Sequence, residues 1–326
     1  MVWDPTAWAM DGGAPNPVPI ARALAFAATK GAEGVIAPLD CKVTALATPG
    51  GSVRVLPGVA TVRNRVAGGA SETYIARNPT EDTVAVPATD ATGARSHLVA
   101  VVVEDPYAAG SGFAKPSDPN TVVAVRTRVI PNVPAGTTRL QDVNGYASRT
   151  GYALARIDMP ASTGAVTAAM IVDLRALALA RTERFLSVDV AQGGRLTSTA
   201  DVQWPSNTRS PLVPAWATHV TGKVAVHQAE ISGGKGYASV RVALGPTGSA
   251  LNSAETFLDF DTPPGGFERV GVTVLIADRI PEAWRGSRQL LQVIGKRLNP
   301  ASDPGVFAAK AGTQIEWDLQ FEERIA

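Results

Sequence analysis

Gln314-Ile315-Glu316-Trp317-Asp318-Leu319-Gln320-Phe321 alternates apolar and polar residues without a break. A period of two predicts a strand that turns Ile315, Trp317, Leu319 and Phe321 to a core and the polar set to water. Gly236 to Leu244 repeats the pattern, with Ala238, Val240, Val242 and Leu244 against Tyr237, Ser239, Arg241 and Ala243. In Val270 to Ile276 the residues Val270, Val272, Val274 and Ile276 are all β-branched. Val220 to Ile231 and Gln289 to Leu298 add further strands, with turns between them. Such spacing predicts a β-sandwich of jelly-roll type over residues 187–326.

Working outward, residues 32–186 read as a second β-rich domain. Cys41 to Val62 outlines a hairpin around Pro49-Gly50-Gly51, and Pro57-Gly58 marks a bend. His97-Leu-Val-Ala-Val-Val-Val103 is apolar on both faces and predicts a central strand covered on each side. Met170 to Phe185 (MIVDLRALALARTERF) contains strong helix formers and neither Gly nor Pro. It predicts a closing helix at about 171–185, with an edge strand continuing from Val166 as the alternative. Residues 1–31 read as an arm: it holds Trp3, Trp8 and several prolines, and a short helix is predicted around Pro19 to Thr29. The two tryptophans make the arm a candidate for docking on a partner. The expected fold class is therefore all-β, with two sandwich-like domains, an arm and a short connecting helix.

Composition narrows the function classes. The 326 residues carry 30 Lys and Arg against 29 Asp and Glu, a formal net charge of +1. A chain this close to neutral lacks the electrostatic footprint of a nucleic-acid binder, so no nucleic-acid partner is expected. The single Cys41 excludes an internal disulfide and a Cys-based zinc site, and its apolar setting predicts a buried thiol. No apolar run reaches the roughly 20 residues of a membrane helix, and the N-terminus lacks the basic start of a signal peptide. A soluble, cytosolically made chain without membrane insertion is expected. With 31 Gly and 24 Pro, many short strands joined by turns fit better than helical bundles.

Catalytic chemistry is hard to find in the residues. His219 and His227 would lie about 27 Å apart along a regular strand, too far to share a metal. Gly233-Gly234-Lys235-Gly236 lacks the spacing of a phosphate-binding loop and reads as a hairpin turn. No catalytic set, metal site or cofactor is expected. Asp259 and Asp261 share a strand face before Pro263-Pro264, and could present oxygens to sugar hydroxyls or a calcium ion, or could simply be a solvated edge. Trp204, Trp216 and Trp284 fall near turns, where a ring either stacks on a sugar or a partner or packs beneath its own loop.

One arrangement is more specific. Thr48-Pro49-Gly50-Gly51 is followed by VRVLPGVATV, then TVAVPATDATGARSHLVAVVVEDPY, VPAGTTRLQD, ALARIDMPAS and IVDLRALALAR. This succession resembles the minor tail proteins of siphophages that infect actinobacteria. The matching segments are Val53 to Val62, Thr83 to Tyr107, Val133 to Asp142 and Ala153 to Arg181. The resemblance implies a non-enzymatic virion subunit, made in the host cytoplasm. Its first domain would attach to other proteins of the tail tip or baseplate, and its second would project toward the host. It marks scaffold positions and carries over no functional residue.

The alternatives are a carbohydrate-binding module that recognises cell-wall glycan and an envelope-polymer hydrolase, which would need paired carboxylates flanking a groove. A homotrimer is expected, because threefold symmetry goes with the resemblance. Strands Leu98 to Val103 and Leu290 to Ile294 also need cover on both faces, which a neighbouring subunit could supply.

Overall fold

The computed structural model describes residues 18–66, 68–108, 111–118, 122–263 and 265–325. Trp3 and Trp8 lie outside the described residues, as does Pro264. The chain divides into two compact units, one running to Leu179 and regaining Ile325, the other Ala180–Arg324.

The first unit contains helix α1 (Val18–Thr29) and strands β1 (Gly34–Val35), β2 (Val43–Ala45), β3 (Ser52–Val55), β4 (Gly58–Arg63), β5 (Thr73–Asn78), β6 (Asp82–Ala85), β7 (Arg95–Val103), β8 (Val125–Val133), β9 (Gly151–Met159) and β10 (Ile171–Asp173). They form antiparallel sheets ordered β1-β4-β5, β2-β3-β6 and β10-β9-β7-β8. β7 is the axis of this unit, buried from Ser96 to Val103. Val99, Val101 and Val103 meet Val53, Val55, Ala60 and Val62 from the smaller sheets. Leu98, Ala100 and Val102 meet Leu140 and Val143, which the loop after β8 brings back over the sheet. The cover sought in another subunit for Leu98 to Val103 is thus supplied by the chain itself, and this part of the physical case for a trimer falls away.

Two sequence expectations are corrected here. The closing helix over 171–185 does not form: Ile171–Asp173 pairs with β9, and the chain resumes as a strand at Thr182. Helix propensity differs by under about 1 kcal/mol per residue between ordinary side chains, so tertiary pairing overrides it. Arg175 shows what is gained. Its guanidinium, almost fully buried, bonds Asp173 and the carbonyls of Pro38 and Asp40 at 2.7–2.9 Å. Nor is the whole 1–31 segment a separable arm, because α1 is tied into the first unit. Arg22, 7% exposed, donates to Tyr74 Oη at 2.8 Å and lies 2.7 Å from Glu72 and 3.2 Å from Asp105. Asp105 is itself only 3% exposed, so each charge needs the other.

The second unit contains β11 (Thr182–Val190), β12 (Val202–Arg209), β13 (His219–Ser232), β14 (Lys235–Leu244), β15 (Leu251–Asn252), β16 (Thr256–Asp261), β17 (Phe267–Arg279), β18 (Leu291–Leu298), β19 (Val306–Ala308) and β20 (Gln314–Glu322). One sheet runs β11-β20-β13-β17 and the other β12-β18-β14, with β16 and β15 side by side on the far edge of β14. Setting aside the short β15 and β19, the main strands count 1-8-3-6 in one sheet and 2-7-4-5 in the other. That interleaving is a jelly roll.

The inner faces are the alternating sets read from the sequence. Val224, Val274, Trp317 and Leu319 from one sheet enclose a single core with Val240, Val242, Leu291 and Val293 from the other. Trp317 also donates to Asp189 on β11 at 2.7 Å, which satisfies its buried N–H. Arg181 holds Glu323 in a two-pronged ion pair, at 2.8 and 2.6 Å, and so joins the first turn of this unit to its last. The boundary therefore falls at Leu179, and residues 180–186 belong to the jelly roll.

Candidate functional site

β16 is an edge strand whose side chains alternate strictly in exposure. Leu258 and Phe260 turn inward and pack on the core. Phe257, Asp259 and Asp261 turn outward. Gly236, across the ladder from Phe260, allows this: a Cβ there would collide with the Phe260 ring. The inward ring thus fits only because its partner has no side chain, and the outward trio is fixed by the same register.

Cross-strand pairing sets Tyr237 of β14 opposite Asp259, and Ser239 opposite Phe257. The Tyr237 and Phe257 rings lie nearly parallel, 19° apart in plane with centroids 5.9 Å apart. Phe257 is 56% exposed, a large apolar ring left in water on a sheet face. Beside this pair, Asp201, Glu255, Arg241 and Lys296 neutralise one another, with Arg241–Asp201 at 2.8 Å and Lys296–Glu255 at 2.7 Å. Hydrogen bonds from Arg241 and Lys296 hold the Asp201 and Glu255 carboxyls below their ordinary range. Asp259 and Asp261 take no part in this network. Among the described residues, neither side chain has a hydrogen bond or ion pair.

The structure thus brings Asp259 and Asp261 to one outer face, but joins none of the three tryptophans to them. Trp204 is buried, its N–H held by the Gly194 carbonyl at 2.9 Å and its ring against Phe307. Trp284 is buried over Gly245, where a Cβ would strike the ring. Trp216 is half-buried, with the Arg181 guanidinium 5.2 Å from its ring centre. Protein fills the space that a sugar would need at Trp204 and Trp284. The aromatic partners of the aspartates are Tyr237 and Phe257, which the sequence reading passed over. The signal for Phe257 was available, since it lies two residues before Asp259 on a period-two strand. The signal for Tyr237 was not, because cross-strand register is not written in either segment.

The remaining candidates are structural in their surroundings. Gly233 and Gly234 adopt φ of 83° and 95° in the hairpin between β13 and β14, a conformation that suits glycine. His219 lies 3.0 Å from Thr218 Oγ1, and His227 lies 3.2 Å from Glu316. His97 is buried, with its Nδ1 accepting the Asn132 N–H at 3.4 Å. Cys41 is fully buried, and burial pushes its thiol up to about 12. Among the described residues no three His, Cys, Asp or Glu side chains converge as metal ligands would. A groove of about 960 Å³ at the end of β7, β8 and β9 includes Arg95, Arg156 and Asp158. Its arginines are already occupied, Arg156 by Asp158 at 2.8 Å and Arg95 by Asp90.

No family model matches the chain, and no curated protein does. Among solved structures it is similar to that of the infectious bursal disease virus Gx strain, with 12% identity, 90% of this chain and 79% of that one covered, and a TM-score of 0.26. It is also similar to the VP2 subviral particle of infectious bursal disease virus, at 12% identity, coverage of 95% and 83%, and a TM-score of 0.24. A structure of carbohydrate-binding modules from the β-sandwich superfamily follows at 11% identity, coverage of 90% and 97%, and a TM-score of 0.14. All three scores are low. Strand order, not these likenesses, defines the fold.

Proposed function

We propose that this chain is a non-enzymatic structural subunit of a bacteriophage tail, sited at the tail tip or baseplate, with the first unit attached to neighbouring tail proteins and the jelly roll facing the host. One observation carries the reading. The sequence segments that resemble siphophage minor tail proteins all lie in the first unit except for the last two residues of one. They fall on β3 and β4, on β6 and β7, on the loop covering β7, and on β9 and β10. They therefore coincide with one scaffold, not with scattered surface loops. The jelly roll holds the outward ring and unpaired carboxylates of β16, as suits the half that meets another surface.

Immunogold electron microscopy of purified particles, with antibody against the jelly roll, tests the placement. Label at the distal end of the tail is expected, and particles that lack the protein altogether would overturn it. The homotrimer is part of the same proposal. Its support is the threefold symmetry that goes with the resemblance, together with the exposed row Leu186, Val188 and Val190 on edge strand β11. Light scattering should give three times the chain mass, and a single-chain mass both in solution and in the particle would remove it.

The second reading, a carbohydrate-binding module, is favoured by the Phe257, Tyr237, Asp259 and Asp261 face. The two readings are compatible, since a tail subunit can contact the host through glycan.

A further inference from the structure

We infer that the outer face of β16 and β14 is a binding site for a neutral polysaccharide, with Phe257 as the stacking ring, Tyr237 as its backing, and Asp259 and Asp261 as acceptors for sugar hydroxyls. The inference deepens the host-facing half of the proposed function and rests on it only for biological setting.

Three features act together. An apolar ring 56% exposed on a rigid sheet face forgoes burial unless something covers it. The near-parallel Tyr237 behind it, at 5.9 Å and 19°, restricts how the ring can tilt, and so presents a flat apolar surface. A flat surface suits the C–H face of a pyranose. A cation cage would need rings facing inward from several directions.

The second feature is the contrast in charge pairing across the face. Asp201, Glu255, Arg241 and Lys296 are mutually satisfied, whereas Asp259 and Asp261 have their oxygens free among the described residues. Ionised carboxylates are acceptors only, and hydroxyl groups are donors that match them. Hydrogen bonds to a charged acceptor are roughly twice as strong as neutral ones, so a polyol gains from both.

The third feature selects the ligand's charge. The free aspartates repel a polyanion, and the single flat ring pair gives a cation no aromatic enclosure. A neutral, hydroxyl-rich chain meets neither obstacle. It would lie along β16, where Asp261, Asp259 and Phe257 follow one another at about 7 Å intervals, twice the rise per residue of a strand.

The test uses the purified full chain and isothermal titration with soluble neutral polysaccharides (arabinogalactan, galactomannan, dextran), alongside sedimentation with purified peptidoglycan. Binding to at least one of the neutral polysaccharides is expected, with little change between low and high salt, and capture by peptidoglycan alone would overturn the inference. Phe257→Ala should weaken it tenfold or more, Phe257→Trp should retain it, and Asp259→Asn with Asp261→Asn should weaken it severalfold. Leu275→Thr, on the exposed face of the opposite sheet and outside the β11 row, should leave it unchanged. Circular dichroism separates misfolding from loss of contact, because Phe257→Trp must fold and bind. Absence of binding to every glycan overturns the inference, as does binding that Phe257→Ala does not alter. Salt-sensitive capture of a basic peptide in place of glycan does so too. Each of these outcomes leaves particle incorporation, measured separately, untouched.

Discussion

The central sheet of the first unit and the two sheets of the jelly roll solve the same problem differently. β7 is buried on both faces, by two small sheets on one side and a returning loop on the other. β20 and β14 each turn one face to the core, and on the other carry Glu316, Asp318, Tyr237 and Arg241, none of them fully buried. The sequences record the difference. β7 is a continuous apolar run, whereas β14 and β20 alternate. A strand covered twice holds its place through packing, and its outer face is unavailable for contact. A strand covered once leaves a patterned surface free, and this is where a partner can be recognised.

The sharpest way to break the comparison is to empty one core and watch the other. Trp317→Ala removes the largest fully buried side chain among the described residues and takes one of the two partners of Asp189, leaving Arg209, and should cost about 3–5 kcal/mol. Urea denaturation followed by circular dichroism measures it, and a loss below about 1 kcal/mol would mean that the jelly-roll core is not the source of its stability. On the first unit, Arg22→Met leaves Asp105 and Glu72 without their cation, and should cost about 3 kcal/mol. If stability is unchanged, α1 is an appendage and not part of that core.

The histidines sharpen the contrast through pH. Burial lowers the pKa of His97 below its ordinary 6.5, so the folded chain holds it neutral. As pH falls through that value the unfolded chain binds the proton first, and stability is lost on the acid side. His97→Gln should flatten the loss of stability that sets in as pH falls through the ordinary histidine range, about 6.5. His219→Gln should do so less, because that ring is only half-buried, although burial also lowers its pKa. Equal effects would mean that burial does not separate the two sites.

The smallest expected effect lies within a single strand. Phe257→Ala should change stability by under about 0.5 kcal/mol. Phe260→Ala, three residues along and turned to the core, should cost about 1–3 kcal/mol by loss of burial. Comparable costs would contradict the in–out register of β16.

The sequence by itself determined the strands whose periods are clean, because a period of two has one physical reading when one face is buried. β14, β17 and β20 were legible for that reason, as were the double cover of β7, the hairpin at Gly233 and Gly234, and a helix near Thr29. β13 and β18 were legible as strands between turns, but β18 buries one face and not the two expected for Leu290 to Ile294. It also exposed Asp259 and Asp261 as a pair on one face.

Only the tertiary structure decided what those faces meet. The segment 171–185 has the composition of a helix, yet the open edge of β9 and the buried guanidinium of Arg175 make it extended. Trp204 and Trp284 fall near turns in sequence, yet the core takes both. Arg22 gives no hint in an Ala-rich helix of the acids that will surround it. The site itself was half written. Register along β16 follows from its own alternation, but the pairing of Asp259 with Tyr237 joins segments about twenty residues apart, and cross-strand distance is set by the folded ladder, not by either segment alone.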